Sequence, residues 1–265
     1  MPAAASSHNN ATTRSDRAPG ALPRQTCGIT DSEGIKESLH QDVTRGRLTV
    51  AASPVSPERA ARPGVHPLGL GDGRDGLLLV PPALPESGPV PVIVALHGAG
   101  GTARQMIDLL GTVARDRGVV VVAPDSRGAT WDVIRGGYGP DVRFLGDALS
   151  QVSAAFSTAP EVTALAGWSD GASYALSLGI ANGDVFPNVI AWSPGFASPG
   201  MRTGSPRMFV SHGVRDPVLP IDRCSRRLVP QLQRAGYPVT YREFPGAHQV
   251  PPEIVAEALT WFLDS

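Results

Sequence analysis

Ser169 is the residue best placed by its neighbours to do chemistry. It stands in Gly167-Trp168-Ser169-Asp170-Gly171, after the apolar run Val162–Ala166 and before a segment rich in alanine and leucine. This pattern, G-x-S-x-G, reads as a strand, a sharp turn and a helix with the serine at the apex, which lifts the hydroxyl clear of its neighbours. A serine attacks a carbonyl carbon only with a base, a group that orients the base, and donors for the developing oxyanion. The sequence offers the first two. His248 ends Phe244-Pro245-Gly246-Ala247-His248, between the last strand and the last helix, where a base belongs. Asp216 lies in His212-Gly213-Val214-Arg215-Asp216-Pro217, after an intermediate strand. Asp222 is the rival acid, but it opens a helix and is expected to cap it. His97 and His212 each precede a glycine at a strand end and are expected to hydrogen-bond loop backbone.

The elements that must position these groups are legible from hydrophobic periodicity. Gly46–Ala52 alternates as a first strand. Gly64–Pro82 reads as an antiparallel pair around Gly71-Asp72-Gly73, near a sheet edge. Val92–Leu96 is a continuous apolar run, suited to a strand covered on both faces. Thr102 is expected to cap the next helix, whose apolar face comprises Met106, Ile107, Leu109, Leu110 and Val113. Val119–Ala123 is a strand, Pro124–Pro140 an irregular loop and Asp141–Phe156 a helix. Val162–Ala166 and Asp170–Ala181 form the strand and helix around Ser169. Strands at Val189–Trp192, Arg207–Ser211 and Val239–Phe244 follow, with helices at Asp222–Ala235 and Pro251–Leu263. Steady alternation of strand and helix implies an α/β fold with a mostly parallel sheet and helices on both faces. Such sheets place their sites beyond the carboxyl ends of the strands, and each candidate follows a strand.

Composition bounds the rest. The 265 residues suit one domain, and a net charge of −1 gives no basis for binding nucleic acid. Residues 1–45 carry few large apolar groups and read as a poorly ordered extension to a domain at 46–265, with a short helical turn at Ser32–His40. Lys36 is the sole lysine. Cys27 and Cys224 suit neither a disulfide nor a metal site. No run reaches transmembrane length, and the start of the chain lacks a basic, then apolar, leader, so a cytoplasmic monomer or homodimer with no membrane insertion is expected.

From about Pro91 to the end, the chain resembles the phospholipase/carboxylesterase branch of the α/β-hydrolase superfamily, with some likeness to feruloyl-esterase and polyhydroxybutyrate-depolymerase-type esterases. The matching stretches are L-H-G-A-G-G, G-W-S-D-G-A-S, H-G-V-R-D-P-V-L-P and G-A-H. They are specific to the fold and much less so to a substrate. The resemblance implies Ser169, Asp216 and His248 as the catalytic triad. It also implies an oxyanion hole from the backbone N–H groups of Asp170 and Ala99, with Gly100 second to Ala99. It implies no cofactor and no metal. Asp170 departs from the family, which often has glutamine there. Only its N–H is needed, provided the carboxylate points away or is paired.

Trp131, Tyr138, Trp168, Phe196 and Leu219 are the candidate pocket walls. For Trp131 and Tyr138, packing of the long loop is an equal alternative, and Trp168 and Phe196 carry the same ambiguity. Ser193–Pro206 leaves little room for a helical lid, so a shallow, open site for small soluble esters is expected. A serine peptidase of the prolyl-oligopeptidase kind and a non-catalytic ligand-binding scaffold are the alternatives. The first lacks its usual extra domain or carboxylate pair, and the second is opposed by an intact Ser, Asp and His set.

Overall fold

The computed structural model describes residues 41–51, 54–56, 62–71 and 73–264. The expected turn at Ser32–His40, Cys27 and most of the N-terminal extension lie outside them. The centre is an eight-stranded sheet: β1 (Gly64–Pro67), β2 (Gly76–Val80), β3 (Val92–Leu96), β4 (Val120–Pro124), β5 (Thr163–Trp168), β6 (Asn188–Trp192), β7 (Arg207–Gly213) and β8 (Val239–Phe244). Their order is β1-β2-β4-β3-β5-β6-β7-β8. β1 and β2 pair antiparallel at one edge, and β2 is antiparallel to β4. All other pairings are parallel. Among the described residues, five α-helices of ten or more residues flank the sheet: α1 (Ala103–Arg117), α2 (Pro140–Ala155), α3 (Asp170–Ala181), α4 (Ser225–Arg234) and α5 (Pro252–Leu263).

Period-two alternation of apolar residues divides the core into two layers. Val92, Val94 and Leu96 face a layer built with α2, α3 and α4, and Ile93 and Ala95 face one built with α1 and α5. β3 is wholly buried, as its unbroken apolar sequence requires. α3 is buried along nearly its whole length, which explains why it is apolar all round.

Three local expectations are corrected. Residues 47–51 form no strand. Side chains satisfy that backbone instead: Leu48 N–H donates to Asn182 Oδ1 at 2.9 Å and Ala51 N–H to Ser150 Oγ at 2.8 Å. Thr102 occupies the N-cap of α1 without a side-chain bond, and Asp125 Oδ1 accepts the Ala103 N–H at 2.6 Å in its place. Asp222 is not a cap either, because α4 starts at Ser225 after Cys224, and Asp222 pairs with Arg226 Nη1 at 2.8 Å. Upstream of the sheet, Val43 and Leu48 are buried in the first layer.

Candidate active site

The turn from β5 into α3 is closely packed. Ser169 has φ 59° and ψ −118°, a region that costs a non-glycine residue about 1–3 kcal/mol. The surrounding packing leaves no other path. A β-carbon on Gly167 would fall 2.1 Å from the carbonyl oxygen of Gly171, and one on Gly171 would fall 2.1 Å from that of Leu96. Both glycines are therefore required by close approach of strand and helix. Ser169 N–H donates to the Trp192 carbonyl at 2.9 Å, which anchors the apex to β6.

The three candidates from distant parts of the chain meet here. His248 Nε2 lies 2.8 Å from Ser169 Oγ, and His248 Nδ1 lies 2.6 Å from Asp216 Oδ2. An ionised carboxylate only accepts, so Nδ1 carries the proton and Nε2 is left free to accept from the serine hydroxyl. Asp216 Oδ1 accepts the N–H groups of Val218 and Leu219 at 2.9 and 2.8 Å. Burial pushes the Asp216 carboxyl up. Hydrogen bonds from His248, Leu219 and Val218 outweigh it, and the pKa settles below the usual carboxylate range. The loops bearing Asp216 and His248 are also tied by backbone, with Arg215 N–H donating to Gly246 O at 2.9 Å. Asp222 takes no part: its side chain is 78% exposed.

His212 supports the acid from beneath. It is fully buried, with Nε2 donating to Leu219 O at 2.7 Å, and Nδ1 accepting from Ser225 Oγ at 2.7 Å. Nε2 also lies 3.3 Å from Asp216 Oδ2. Burial holds the His212 pKa below its ordinary value, which keeps the ring neutral at pH 7.

The β3–α1 loop passes directly over the serine: a β-carbon on Gly98 would lie 3.4 Å from Ser169 Cβ. Among the described residues, no backbone acceptor takes the N–H of Ala99 or of Asp170. Gly100, the second choice for the oxyanion hole, is corrected, since its N–H is committed to Ala129 O at 2.8 Å. The Asp170 carboxylate is paired, accepting from Thr130 Oγ1 at 2.7 Å. His97 is structural as expected. Its Nε2 accepts the Ser126 N–H at 3.0 Å, and its carbonyl accepts Trp131 Nε1–H at 2.8 Å. Arg74 completes this network, donating from Nη2 to Gly101 O at 3.1 Å and from Nε to Ser126 O. The sequence reading missed Arg74. An arginine in a turn carries no motif, and its partners are main-chain oxygens that a sequence does not display.

Of the expected pocket walls, Trp131 is corrected. It is 1% exposed and stacks on Tyr174 at 5.2 Å, so it packs the long loop. Tyr138 shares that role, stacking on Tyr174 at 6.2 Å and donating to Ser198 O at 2.7 Å. Trp168 does border the site, with its ring 5.3 Å from that of His248. Phe196 is 38% exposed. Leu219 lies beside the neighbouring Gly195, where a β-carbon would be 3.5 Å from Leu219 Cδ2.

This architecture is that of the α/β hydrolases. The chain is similar to esterase PE8, at 23% identity and a TM-score of 0.57 over 71% of this chain and 97% of that one. It is similar to a carboxylesterase from Bacillus cereus, at 21% identity and a TM-score of 0.53 over 66% and 88% of the two chains. It is also similar to a phospholipase/carboxylesterase from Dyadobacter fermentans, at 20% identity and a TM-score of 0.53 over 82% and 96%. These likenesses establish the shared fold. No curated protein sequence matches the chain. No helix among the described residues is long and apolar enough to cross a membrane. Residues 69–225 match the family described as "Putative esterase", and the chain belongs to that esterase family.

Proposed function

We propose that the protein is a serine carboxylester hydrolase that works through an acyl-enzyme. The observation that carries this reading is the continuous chain from Ser169 Oγ through His248 to Asp216, with links of 2.8 and 2.6 Å. His248 Nε2 takes the hydroxyl proton as Oγ bonds to the ester carbonyl carbon. The carbonyl oxygen becomes an oxyanion between the N–H groups of Ala99 and Asp170. Asp216 stabilises the imidazolium, which returns the proton to the departing alkoxide as the C–O bond breaks. Water then repeats the sequence and frees the acid. Every step uses groups of this chain, the ester and water.

Small soluble esters are the proposed substrates. The β6–β7 loop carries no helix to cover Ser169, and its Phe196 is exposed. Hydrolysis of p-nitrophenyl acetate and butyrate tests the reading. Ser169→Ala should lower kcat by at least about 10⁴-fold. Equal rates for the two proteins would defeat it. A peptidase would in addition cleave peptide amides.

A further inference from the structure

A cavity of about 270 Å³ opens beside the triad, lined by Gln105, Leu109, Trp168, His248, Gln249 and Val250. Three elements build it: α1 gives Gln105 and Leu109, the end of β5 gives Trp168, and the β8–α5 loop gives the rest. Leu109, Trp168 and Val250 are half-buried and pack on the second core layer, so these apolar walls have a fixed footing. Gln105 and Gln249 stand at the exposed rim. No carboxylate, ammonium or guanidinium lines the space.

Which part of an ester would enter follows from the proton's route. In the reading above, the imidazolium must protonate the departing oxygen, which therefore sits within about 3 Å of His248 Nε2. The carbonyl oxygen is drawn the other way, toward the N–H groups of Ala99 and Asp170. The substituent on the departing oxygen then extends into the space that borders His248. We propose that this cavity receives the alcohol portion of the ester, and that Leu109, Trp168 and Val250 select apolar alkyl or aromatic alcohols. An alcohol bearing a positive charge is disfavoured, because it would exchange water for a wall with no carboxylate and with the His248 imidazolium beside it. The inference rests on the esterase reading and adds to it the part of the substrate that this wall reads.

Two ester series test it: acetates of methanol, butanol and benzyl alcohol, and methyl esters of acetic, butyric and hexanoic acids. Leu109→Trp fills the cavity from a half-exposed helix position. It should lower kcat/KM for benzyl acetate about tenfold or more relative to methyl acetate, a change of the size expected for a crowded apolar pocket. The ratios within the methyl-ester series should stay as in the wild type. Leu109→Ala, which removes bulk, should shift preference within the acetates toward the larger alcohol, guarding against an effect of misfolding. The proposal is overturned if the methyl-ester series responds instead, or if neither series does. A wild-type protein inert toward both series removes the esterase reading, and this inference with it.

Discussion

At the scale of single residues, the site depends on which side chains are charged and where their protons lie. Asp216 is held below the usual carboxylate range, so it stays ionised as pH falls toward 4. Asp216→Asn removes that charge at every pH and favours the wrong imidazole tautomer. It should lower kcat by roughly 10⁴-fold across the whole profile, measured by p-nitrophenyl butyrate hydrolysis from pH 5 to 9. A loss confined to one limb of the profile would contradict the role. Asp170 is the opposite case. Its carboxylate is turned to Thr130 Oγ1 at 2.7 Å and its backbone N–H is the part proposed to act. Asp170→Asn should therefore retain wild-type kcat within a few-fold in the same assay.

Loops and helix ends carry the next level of the argument. Arg74 ties the β3–α1 loop, through the carbonyl of Gly101, to the β4–α2 loop, through the carbonyl of Ser126. Without it, the Ala99 N–H loses a fixed position, and misplacement on the order of 1 Å costs about 10²-fold in rate. Arg74→Met should lower kcat 10- to 100-fold, again on that order, with little change in KM. Steady-state kinetics with a thermal melt separate this from unfolding. Where the β4–α2 loop enters α2, two buried carboxylates cap each other's backbone. Asp141 Oδ2 accepts the Asp132 N–H at 2.7 Å, and Asp132 Oδ2 accepts the Asp141 N–H at 3.0 Å. Burial pushes Asp141 up to about 6. A carboxyl whose pKa is raised by folding favours the protonated native state. Its contribution is complete below about pH 4 and is lost as pH rises through about 6. The shift corresponds to roughly 3 kcal/mol. Urea unfolding should show this downward component between pH 4 and 7 in the wild type, and Asp141→Asn should reduce it, leaving the part due to Asp132, whose carboxyl burial also raises.

At the scale of the whole molecule, the sheet brings Ser169, Asp216 and His248 to one end because β5, β7 and β8 run parallel and each is followed by a loop at its carboxyl end. That much was legible. Unbroken apolar runs mark strands covered on both faces, and the glycines of the G-x-S-x-G turn mark a close approach. What was not legible depends on contacts between distant segments. The backbone at residues 47–51 alternates like a strand, yet Asn182 and Ser150 take its N–H groups. Trp131 has the chemistry of a pocket wall, yet the Tyr174 ring beneath it makes it core. Leu109 reads as one more apolar position of α1. Only the packed structure puts it at the shoulder of the helix, facing a cavity beside His248.

The central claim, that Ser169 is the nucleophile, is tested most directly by covalent capture. Treating the protein with a fluorophosphonate and reading intact mass, then mapping peptides, should give one adduct on the peptide that carries Ser169, and none in Ser169→Ala. An unmodified wild-type protein, or an adduct on any other residue, would contradict the account.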